Sequence, residues 1–377
     1  MKSGIRLVVV GATLLLSIGL SVVASVSDAQ AVAFNVGANH FATRQLLYAA
    51  VGVFLGFVVL PRLDPHLFQR RGWALVLAAA VVFGLVSVWI PGLADAAQKG
   101  SHRWLRLPGF KLQPSELVRV FVCVLAARWC GAVRCRNEEF WQGTALPCLC
   151  LAPVLALLFK QPDYGSAILT VAVAGAILVV AGSRPRHLAI FGAVAVGALA
   201  ALILSSPEHI RRVLGALASD QVSTDETRQV MASLQAFRNG GLLGAGYGRG
   251  IMKEGYLPEA HTDFILAMAG EELGLVATLA VVAGYLLILA GGWRIARSTP
   301  EKYSKLLAVG LTLHFCLAAG ANIAVVTKWA PTKGLALPLL SYGGSNMVAS
   351  MLVLGLLVAT ARHAPADFPD TRAPSAW

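Results

Sequence analysis

Ten long apolar segments limit what this chain can fold into more than any other feature. The segments run near 7–27, 45–61, 72–91, 115–133, 144–160, 164–182, 187–206, 263–292, 304–327 and 346–361. A membrane-spanning helix needs about 20 apolar residues, and its backbone polar groups must be satisfied within the segment itself. The pattern therefore predicts an all-α integral membrane protein with ten transmembrane helices, folded as a single polytopic domain over 1–377.

The composition excludes the main soluble classes of protein. Hydrophobic residues make up 57% of the chain and charged residues only 13%, whereas soluble domains carry about 25% charged residues. The net charge of +12 indicates membrane topology and lipid headgroups rather than nucleic acid. The six cysteines form no metal-like CxxC pair, so we interpret them as small buried hydrophobes and predict no metal site.

The first apolar segment has two possible interpretations. Lys2 and Arg6 precede it, as in a secretory signal, but the apolar run continues to about Val26. The apolar core of a signal peptide has only about 7–15 residues. We therefore expect a retained span rather than a cleaved signal.

The basic residues predict the orientation of the bundle. With the N-terminus inside, the short cytoplasmic segments are dense in Arg and Lys, which supports both termini inside. The long polar segment 206–262 then lies outside, between spans seven and eight, and 363–377 forms a short cytoplasmic tail. The outer segments also carry many basic residues. Either lipid headgroups or an anionic, phosphate-bearing ligand would explain these outer cations.

The first polar cluster, GSHRWLRLPGFKLQPSELVR (100–119), leads into the fourth span. Ser115 follows Pro114, which suits a helix start, and is a candidate N-cap. Glu116 and Arg119 lie three residues apart and share one helix face, so we predict that they pair within the bundle.

The second cluster, KQPDYG (160–165), is a tight turn between two apolar segments. Ionisable residues at the rim of a membrane bundle are costly, and each is therefore a functional candidate. Asp163 could stabilise the turn, form a salt bridge with Lys160 or contact a ligand, and we favour the turn.

The third cluster, KEGYLPEAHTDFILAMAGEELG (253–274), joins the outer loop to the eighth span. Thr262 or Asp263 could cap the helix that follows. Asp263 could instead act as a general base beside Glu259 and His261, because a carboxylate at a membrane rim is partly desolvated and gains basicity. The two roles are compatible, and the residues alone leave both open.

The fourth cluster, KWAPTKGLALPLLSYGGSN (328–346), is a loop rich in Pro and Gly before the last span. Irregular backbone at membrane depth is tolerated where it lines a cavity. The candidates for the wall of such a cavity are therefore Lys333, Ser341, Tyr342, Gly343 and Gly344.

A glycine-rich stretch, GAGYGRG (244–250), precedes the third cluster. It follows no predicted strand, so it is not a dinucleotide-binding fingerprint. Glu271 and Glu272 lie two helical turns beyond Asp263, and we expect at least one of them to face a polar interior.

Taken together, the four clusters resemble the SEDS family of polytopic peptidoglycan glycosyltransferases. The similarity covers about 100–346, and the ordered set GxHRWLxL, QPSE, QPDYG, GGLLGAGYG, LPEAHTDFI, GEELG and PTKGLALPLLSYGGS is highly specific. TKGLALP (332–338) and Gly270 in GEELG are more similar to the division branch, FtsW, than to the elongation branch, RodA.

The resemblance implies a reaction and a catalytic residue. Members of the family polymerise lipid II into glycan strands at the outer face of the bacterial cytoplasmic membrane, and Asp263 matches their catalytic aspartate. It would deprotonate the 4-hydroxyl of the acceptor GlcNAc. That oxygen would attack C1 of the donor MurNAc, and undecaprenyl diphosphate would leave, with outer cations stabilising its charge.

We select seven candidate substrate-binding residues around this reaction. Four are outer basic residues for the diphosphate, and three lie in or beside the matched motifs. They are Arg103, Lys111, Arg211 and Lys333, together with Glu259, His261 and Ser341. A divalent cation such as Mg²⁺ or Mn²⁺ could assist the leaving group, but the sequence shows no ligand cluster for one.

Three positions depart from the family pattern. Ala318 stands where the family usually has Gln, four residues before Asn322, and Asn346 replaces a common Ser. Arg119 replaces a Lys and keeps the positive charge, so its pairing with Glu116 survives with altered geometry.

Other functions would use the same features. A lipid II flippase also needs a lipid groove and phosphate contacts, but it should place its key ionisable residues near the membrane midplane. A scaffold would leave Asp263 without a chemical task, and an elongation enzyme would use the same chemistry. We expect the division polymerase, because the densest polar constellation, 253–263, lies at the outer rim.

The resemblance also implies partners and a location. The expected partner is a single-span class B penicillin-binding protein, a transpeptidase, together with other divisome proteins. The expected location is the cytoplasmic membrane at the division septum.

Overall fold

The computed structural model describes residues 1–94, 103–107, 110–132, 135–204, 225–331 and 334–364. These residues form a helical bundle with eleven α-helices. The helices are α1 Lys2–Phe34, α2 His40–Val53, α3 Arg71–Ser87, α4 Pro114–Gly131, α5 Leu146–Lys160, α6 Tyr164–Ala181, α7 Pro185–Leu204, α8 Asp225–Gly240, α9 Ile265–Ser298, α10 Lys302–Val326 and α11 Gly344–His363.

Each of the ten predicted apolar segments forms one of these helices, and α8 lies within the segment predicted as the outer loop. Seven helices are long and apolar enough to cross a membrane, and α3 is a shorter apolar helix. These apolar helices of the described residues confirm the prediction of an all-α membrane fold. The count of ten crossings stays a prediction.

One short antiparallel hairpin interrupts the helical pattern, which the sequence analysis did not predict. Strand β1, Leu105–Leu107, pairs with strand β2, Phe110–Leu112, and Arg106 lies opposite Lys111. The hairpin contacts α11 and leads into α4, so it covers the bundle where the first polar cluster enters it.

Two helices depart from regular α geometry for identifiable reasons. After Val53, α2 continues through a π-helical turn and a short 3₁₀ turn that contains Pro61; proline removes an intrahelical donor. Helix α9 contains one non-helical residue, Gly274, with φ 76° and ψ −171°. Only glycine adopts this conformation without strain.

Glycine pairs bring α1 and α9 into close antiparallel contact. A Cβ atom at Gly11 would lie 2.7 Å from the carbonyl oxygen of Gly284, and one at Gly4 would lie 2.9 Å from that of Gly291. The seven-residue spacing on each helix places both contacts along one face. Small residues at such interfaces allow the van der Waals packing that holds helices together in a bilayer.

Helices α10 and α11 lie at the centre of the bundle and are buried along most of their lengths. Gly56, in the π-helical turn after α2, contacts α11: a Cβ atom at Gly355 would lie 2.0 Å from the Gly56 carbonyl oxygen. The helices α2, α3 and α5 expose much of their apolar surface instead.

A histidine between two carboxylates connects the loop before α3 to the start of α10. The ring nitrogens of His66 lie 2.6 Å from Asp64 and 2.5 Å from Glu301, and Gln69 also donates to Glu301. Burial by itself would lower the pKa of His66, but its hydrogen bonds to these carboxylates outweigh burial and raise it. This cluster therefore fixes the loop and α10 at one end of the bundle.

We predict that Gly11→Leu destabilises the protein by about 1–3 kcal/mol or more, because the new side chain must separate α1 from the backbone of α9. The measurement is a thermal melt of the purified protein in detergent. Gly175→Leu in α6 is the matched control, because no atom lies within 4 Å of a Cβ at that position. Equal melting temperatures for the two variants would show that the close approach of α1 and α9 is unimportant.

Candidate active site

Asp263 lies in the turn that precedes α9, with its side chain half-buried. The helix begins at Ile265, and its N-cap is Phe264, which makes no side-chain capping hydrogen bond. The N-cap thus lies one residue after Asp263, and the role of Asp263 stays a prediction.

Three hydrogen bonds hold the backbone of Asp263 and the two residues before it. The Tyr342 amide donates to the carbonyl of His261 at 2.9 Å, and the Ser341 hydroxyl donates to that of Thr262 at 2.6 Å. Asn322 of α10 donates to the carbonyl of Asp263 at 2.8 Å. Each of three successive carbonyls is thus fixed by another part of the bundle.

A second layer of hydrogen bonds holds the loop that supplies these donors. Asn322 also donates to the Leu335 carbonyl at 2.8 Å, and the Ser341 hydroxyl accepts from the Leu337 amide at 2.7 Å. Gln45 of α2 is fully buried; it donates to the Ser341 carbonyl at 3.0 Å and accepts from the Gly343 amide at 3.1 Å. Loop 334–343 is therefore anchored to α2 and α10.

Ser341 does not have the role that the sequence analysis gave it. We expected a substrate-binding hydroxyl, but the residue is fully buried and its hydroxyl is engaged with main-chain groups of Leu337 and Thr262. Irregular backbone at membrane depth needs such internal partners. Ser341 therefore positions the loop and does not face a ligand.

Gly334 places loop 334–343 directly against the Asp263 carboxylate. A Cβ atom at Gly334 would lie 3.2 Å from Oδ2 of Asp263, which is a tight contact. The absence of a side chain at Gly334 therefore leaves room beside the carboxylate.

His261 packs beside the site against two aromatic rings. It is 7% exposed, and its ring lies 5.2 Å from that of Phe41 and 5.6 Å from that of Tyr342. Burial lowers the pKa of His261, despite the nearby charge of Glu259, so the imidazole is neutral at pH 7. Its aromatic contacts join the turn before α9 to the start of α2.

Glu259 is exposed and adopts a left-handed backbone conformation with φ 57°. Its carboxylate accepts a hydrogen bond from the Thr262 hydroxyl at 3.1 Å. The side chain therefore lies on the solvent side of the turn, within reach of a ligand that approaches Asp263 from that side.

The structure describes two of the four predicted diphosphate-binding cations. The Arg103 guanidinium donates to the carbonyls of Gln161 and Pro162 in the turn between α5 and α6. Lys111 is exposed on β2, and its carbonyl accepts from Ser345 at 3.2 Å. The other two predicted cations, Arg211 and Lys333, lie outside the described residues.

A buried carboxylate connects these elements. Asp163 caps α6 through the Ser166 amide, as its predicted turn role required, and it accepts from the hydroxyls of Ser166 and Ser115, each at 2.8 Å. Ser115 is not an N-cap, because the α4 cap is Gln113. The main-chain amide of Gln113 in turn donates to the Ser345 hydroxyl at 2.8 Å. The same network therefore joins α4, α6 and α11 at the Asp263 end of the bundle.

The predicted pair on α4 is present in the structure. Arg119 contacts the carboxylate of Glu116, and both side chains are buried. Each charge is thus balanced within one turn of the same helix, as a buried ion pair requires.

The side chain of Glu272 binds the glycine-rich stretch 244–250, and that of Glu271 binds residues on either side of it. Glu272 pairs with Lys253 at 2.7 Å and accepts from the Gly248 amide at 3.2 Å. Glu271 accepts from Asn239 and from the Ile251 amide. The two carboxylates therefore face a polar interior, as expected, and they fix the loop that follows α8 against α9.

Within the described ranges, no group of three or more His, Cys, Asp or Glu residues is arranged so that it could hold a metal ion.

Comparison with known proteins identifies the family. A family model described as "Cell cycle protein", which covers FtsW, RodA and SpoVE, matches residues 5–365. The chain belongs to the FtsW/RodA/SpoVE family. It is therefore a multi-pass membrane protein, in agreement with its apolar helices.

Two relatives show how closely the chain follows the FtsW/RodA/SpoVE family. A probable peptidoglycan glycosyltransferase FtsW of Geobacter sulfurreducens is 39% identical over 319 residues, which are 85% of this chain and 84% of that protein. Stage V sporulation protein E of Bacillus subtilis is 32% identical over 364 residues, which are 95% of this chain and 96% of that protein.

Solved structures share the fold along nearly the whole chain. One, described as "Structural coordination of polymerization and crosslinking by a peptidoglycan synthase complex", aligns with a TM-score of 0.76 at 25% identity over 96% of this chain and 98% of that chain. The rod shape determining protein RodA of Thermus thermophilus aligns with a TM-score of 0.68 at 24% identity, over 96% of this chain and 97% of that one.

One departure from the family pattern, Ala318, lies one turn before Asn322, the residue that donates to the Asp263 carbonyl. Asn322 is 2% exposed, and its Oδ1 has no hydrogen-bond partner within the part of the chain that the structure describes. Ala318, one turn earlier on α10, offers no polar side chain to it. Asn346, the second departure, donates to the Leu337 carbonyl at 3.3 Å and so supports loop 334–343.

Sequence reasoning missed Gln45 and gave Asn322 no role. The sequence did offer a signal for both residues. Each is a polar side chain within an apolar segment, where polar groups are costly and are functional candidates. The sequence could not show that both bind the backbone around Asp263, since their partners lie far away in the chain.

We predict that Asn322→Leu destabilises the protein by about 2 kcal/mol or more, because the Asp263 and Leu335 carbonyls each lose a donor and an unsatisfied buried group costs about 1–3 kcal/mol. A thermal melt in detergent measures this loss, and limited proteolysis should show faster cleavage within 334–343. Asn239→Leu is the control for the cleavage pattern, since its amide binds Glu271 and does not contact this loop. An unchanged melt for Asn322→Leu would contradict the prediction.

Proposed function

We propose that this chain is a peptidoglycan glycosyltransferase that polymerises lipid II. Two relatives from Geobacter are each described as a probable peptidoglycan glycosyltransferase FtsW, and the chain matches their family over 5–365. The observation that carries the proposal is the support of Asp263. Hydrogen bonds from α10 and loop 334–343 hold the backbone around Asp263, so its carboxylate has a fixed position beside Gly334.

In the proposed reaction Asp263 is the general base. It takes the proton from the 4-hydroxyl of the acceptor GlcNAc as that oxygen forms a bond to C1 of the donor MurNAc. The bond from C1 to the diphosphate oxygen breaks, and undecaprenyl diphosphate leaves with the electron pair. A base must be held within hydrogen-bond reach of the proton that it takes, and the hydrogen bonds to the carbonyls of 261–263 provide such positioning.

The surroundings of Asp263 fit this role. Gly334 leaves room beside the carboxylate, and Glu259 lies on the solvent side of the same turn. Lys111 is exposed on the hairpin at the same end of the bundle, so it remains our candidate for the diphosphate. Arg103 instead acts on the turn that carries Asp163, and we assign it a positioning role.

The flippase alternative is less well supported. Such a transporter needs ionisable groups within the bundle that are available to substrate. The buried charges of α4 and α9 already have partners, in the pairs Glu116–Arg119 and Glu272–Lys253. Their mutual satisfaction favours a structural role, and it leaves Asp263 as the candidate for chemistry.

We further propose the division role and its setting. The similarity to proteins named FtsW favours division over elongation. The chain then acts in the bacterial cytoplasmic membrane at the septum, with both termini cytoplasmic. Its partner is a class B penicillin-binding protein, because a solved structure with the same fold belongs to a complex of polymerization and crosslinking.

The orientation of the bundle can be tested by cysteine labelling. A Cys placed at Asp225 on a cysteine-free background should react with a membrane-impermeant maleimide added outside, because the proposal puts 206–262 on the outer face. A Cys at Glu138, in the loop between α4 and α5, should react only after the membrane is opened. The reverse pattern would contradict the orientation and the location of catalysis.

We predict that Asp263→Asn lowers polymerisation of lipid II by about 10²–10⁴-fold, the usual contribution of a general acid–base group. The change preserves size and removes basicity, and stability should change little because Asn keeps a side-chain oxygen that can accept the same hydrogen bond. The measurement is strand formation from labelled lipid II by purified protein with its transpeptidase partner.

Glu259→Gln is the matched control for this experiment. It removes a second carboxylate from the same turn, at an exposed position, and should reduce the rate far less. A thermal melt reports folding of both variants. A folded Asp263→Asn protein with wild-type rates would refute the general-base assignment, and a collapsed melt would show that the residue is mainly structural.

A further inference from the structure

An open cavity of about 820 Å³ lies between the loop that joins α4 to α5, the loop that joins α6 to α7 and the start of α10. Helix α6 shows where it lies relative to Asp263. Asp163 begins α6 within the network at the Asp263 end, whereas Ala181 and Gly182 at the other end of the helix line the cavity. The cavity is therefore at the opposite end of the bundle from the candidate active site.

The lining of this cavity is basic. Its charged side chains are Arg136, Arg184, Arg186, Lys302, Glu138 and Glu139. Each carboxylate already pairs with an arginine, at N–O distances of 2.9 Å and 3.4 Å. Arg186 and Lys302 form no salt bridge within the described part of the chain. Two positive charges are therefore available to an anion in the cavity.

A buried histidine in the cavity wall also lacks a partner. His187 is 9% exposed, and its Nδ1 makes no hydrogen bond to any residue that the structure describes. Its ring packs edge-on against Phe140, with 5.3 Å between the ring centroids. A buried polar group without a partner is unfavourable, and an anionic oxygen would accept a hydrogen bond from this imidazole.

One edge of the cavity is apolar and exposed. Trp141 lines the cavity and is 65% exposed. Beyond the cavity lining, on α7, Ile190 and Val194 are 53% and 65% exposed. Tryptophan is enriched at the interface between headgroups and acyl chains. The occupant of the cavity should therefore have an anionic end and an apolar end.

We propose that this cavity binds the phosphodiester headgroup of an anionic phospholipid, with its acyl chains along Trp141 and the exposed face of α7. Arg186 and Lys302 neutralise the phosphate, and His187 donates to one of its oxygens. Basic pockets between membrane helices commonly bind such headgroups. Free phosphate has no apolar part to contact the apolar edge, and an acidic peptide has no acyl chains to cover it. The proposal does not depend on the reaction at Asp263.

The test compares lipid binding by the full-length protein and by the double variant Arg186→Gln, Lys302→Gln. Native mass spectrometry counts dioleoyl phosphatidylglycerol bound to each, with dioleoyl phosphatidylcholine as the uncharged reference. Each cation near an anionic lipid contributes about fivefold, so the double variant should bind phosphatidylglycerol about thirtyfold more weakly. His187→Phe keeps the ring packing, removes the nitrogen and should weaken binding about fivefold.

The matched control is the double variant Arg70→Gln, Arg71→Gln. These residues are exposed and do not line the cavity. They lie at the same end of the bundle, because the neighbouring Gln69 donates to Glu301 at the start of α10. Their loss should leave the tightly bound phosphatidylglycerol in place. Equal losses in both double variants, or none in the cavity variant, would overturn the proposal. Displacement of the lipid by glycerol 1-phosphate at equal concentration would overturn the assignment to a phospholipid.

Discussion

Irregular backbone inside a helical membrane bundle must find hydrogen-bond partners within the protein, and this requirement shapes the site around Asp263. The turn 261–263 and loop 334–343 cannot satisfy their carbonyls and amides by helix formation. Gln45, Asn322 and Ser341 supply partners instead. The result is a site that is irregular in conformation but held on several sides, as a group that must be positioned for proton transfer requires.

Close helix packing supplies the frame that carries these hydrogen bonds. In a bilayer the hydrophobic effect contributes little to helix association, so contact depends on close van der Waals packing. Glycines at 4, 11, 284 and 291 let α1 approach the backbone of α9, and α9 begins two residues after Asp263. The buried pair Glu272–Lys253 fixes the glycine-rich stretch against the same helix. Packing and charge together therefore determine where the turn before α9 lies.

The two ends of the bundle hold polar groups in different ways. At the Asp263 end, the network that includes Asp163, Ser115 and Ser345 closes on itself, and its carboxylate has several donors. At the other end, Arg186 and Lys302 have no acidic partner within the described ranges, and His187 keeps an unsatisfied nitrogen. The first arrangement builds a rigid site, whereas the second is suited to a ligand from the membrane.

The sequence by itself determined the helical membrane class, the position of each apolar helix and the pairing of Glu116 with Arg119, because these depend on local composition and on spacing within one helix. Motifs also led it to propose Asp263. The tertiary structure decided the rest. It placed the start of α9 at Ile265, it buried Ser341, and it gave Gln45 and Asn322 their partners. Those outcomes depend on contacts between residues up to 298 positions apart, and hydropathy and spacing carry no information about which distant backbone group a buried side chain meets.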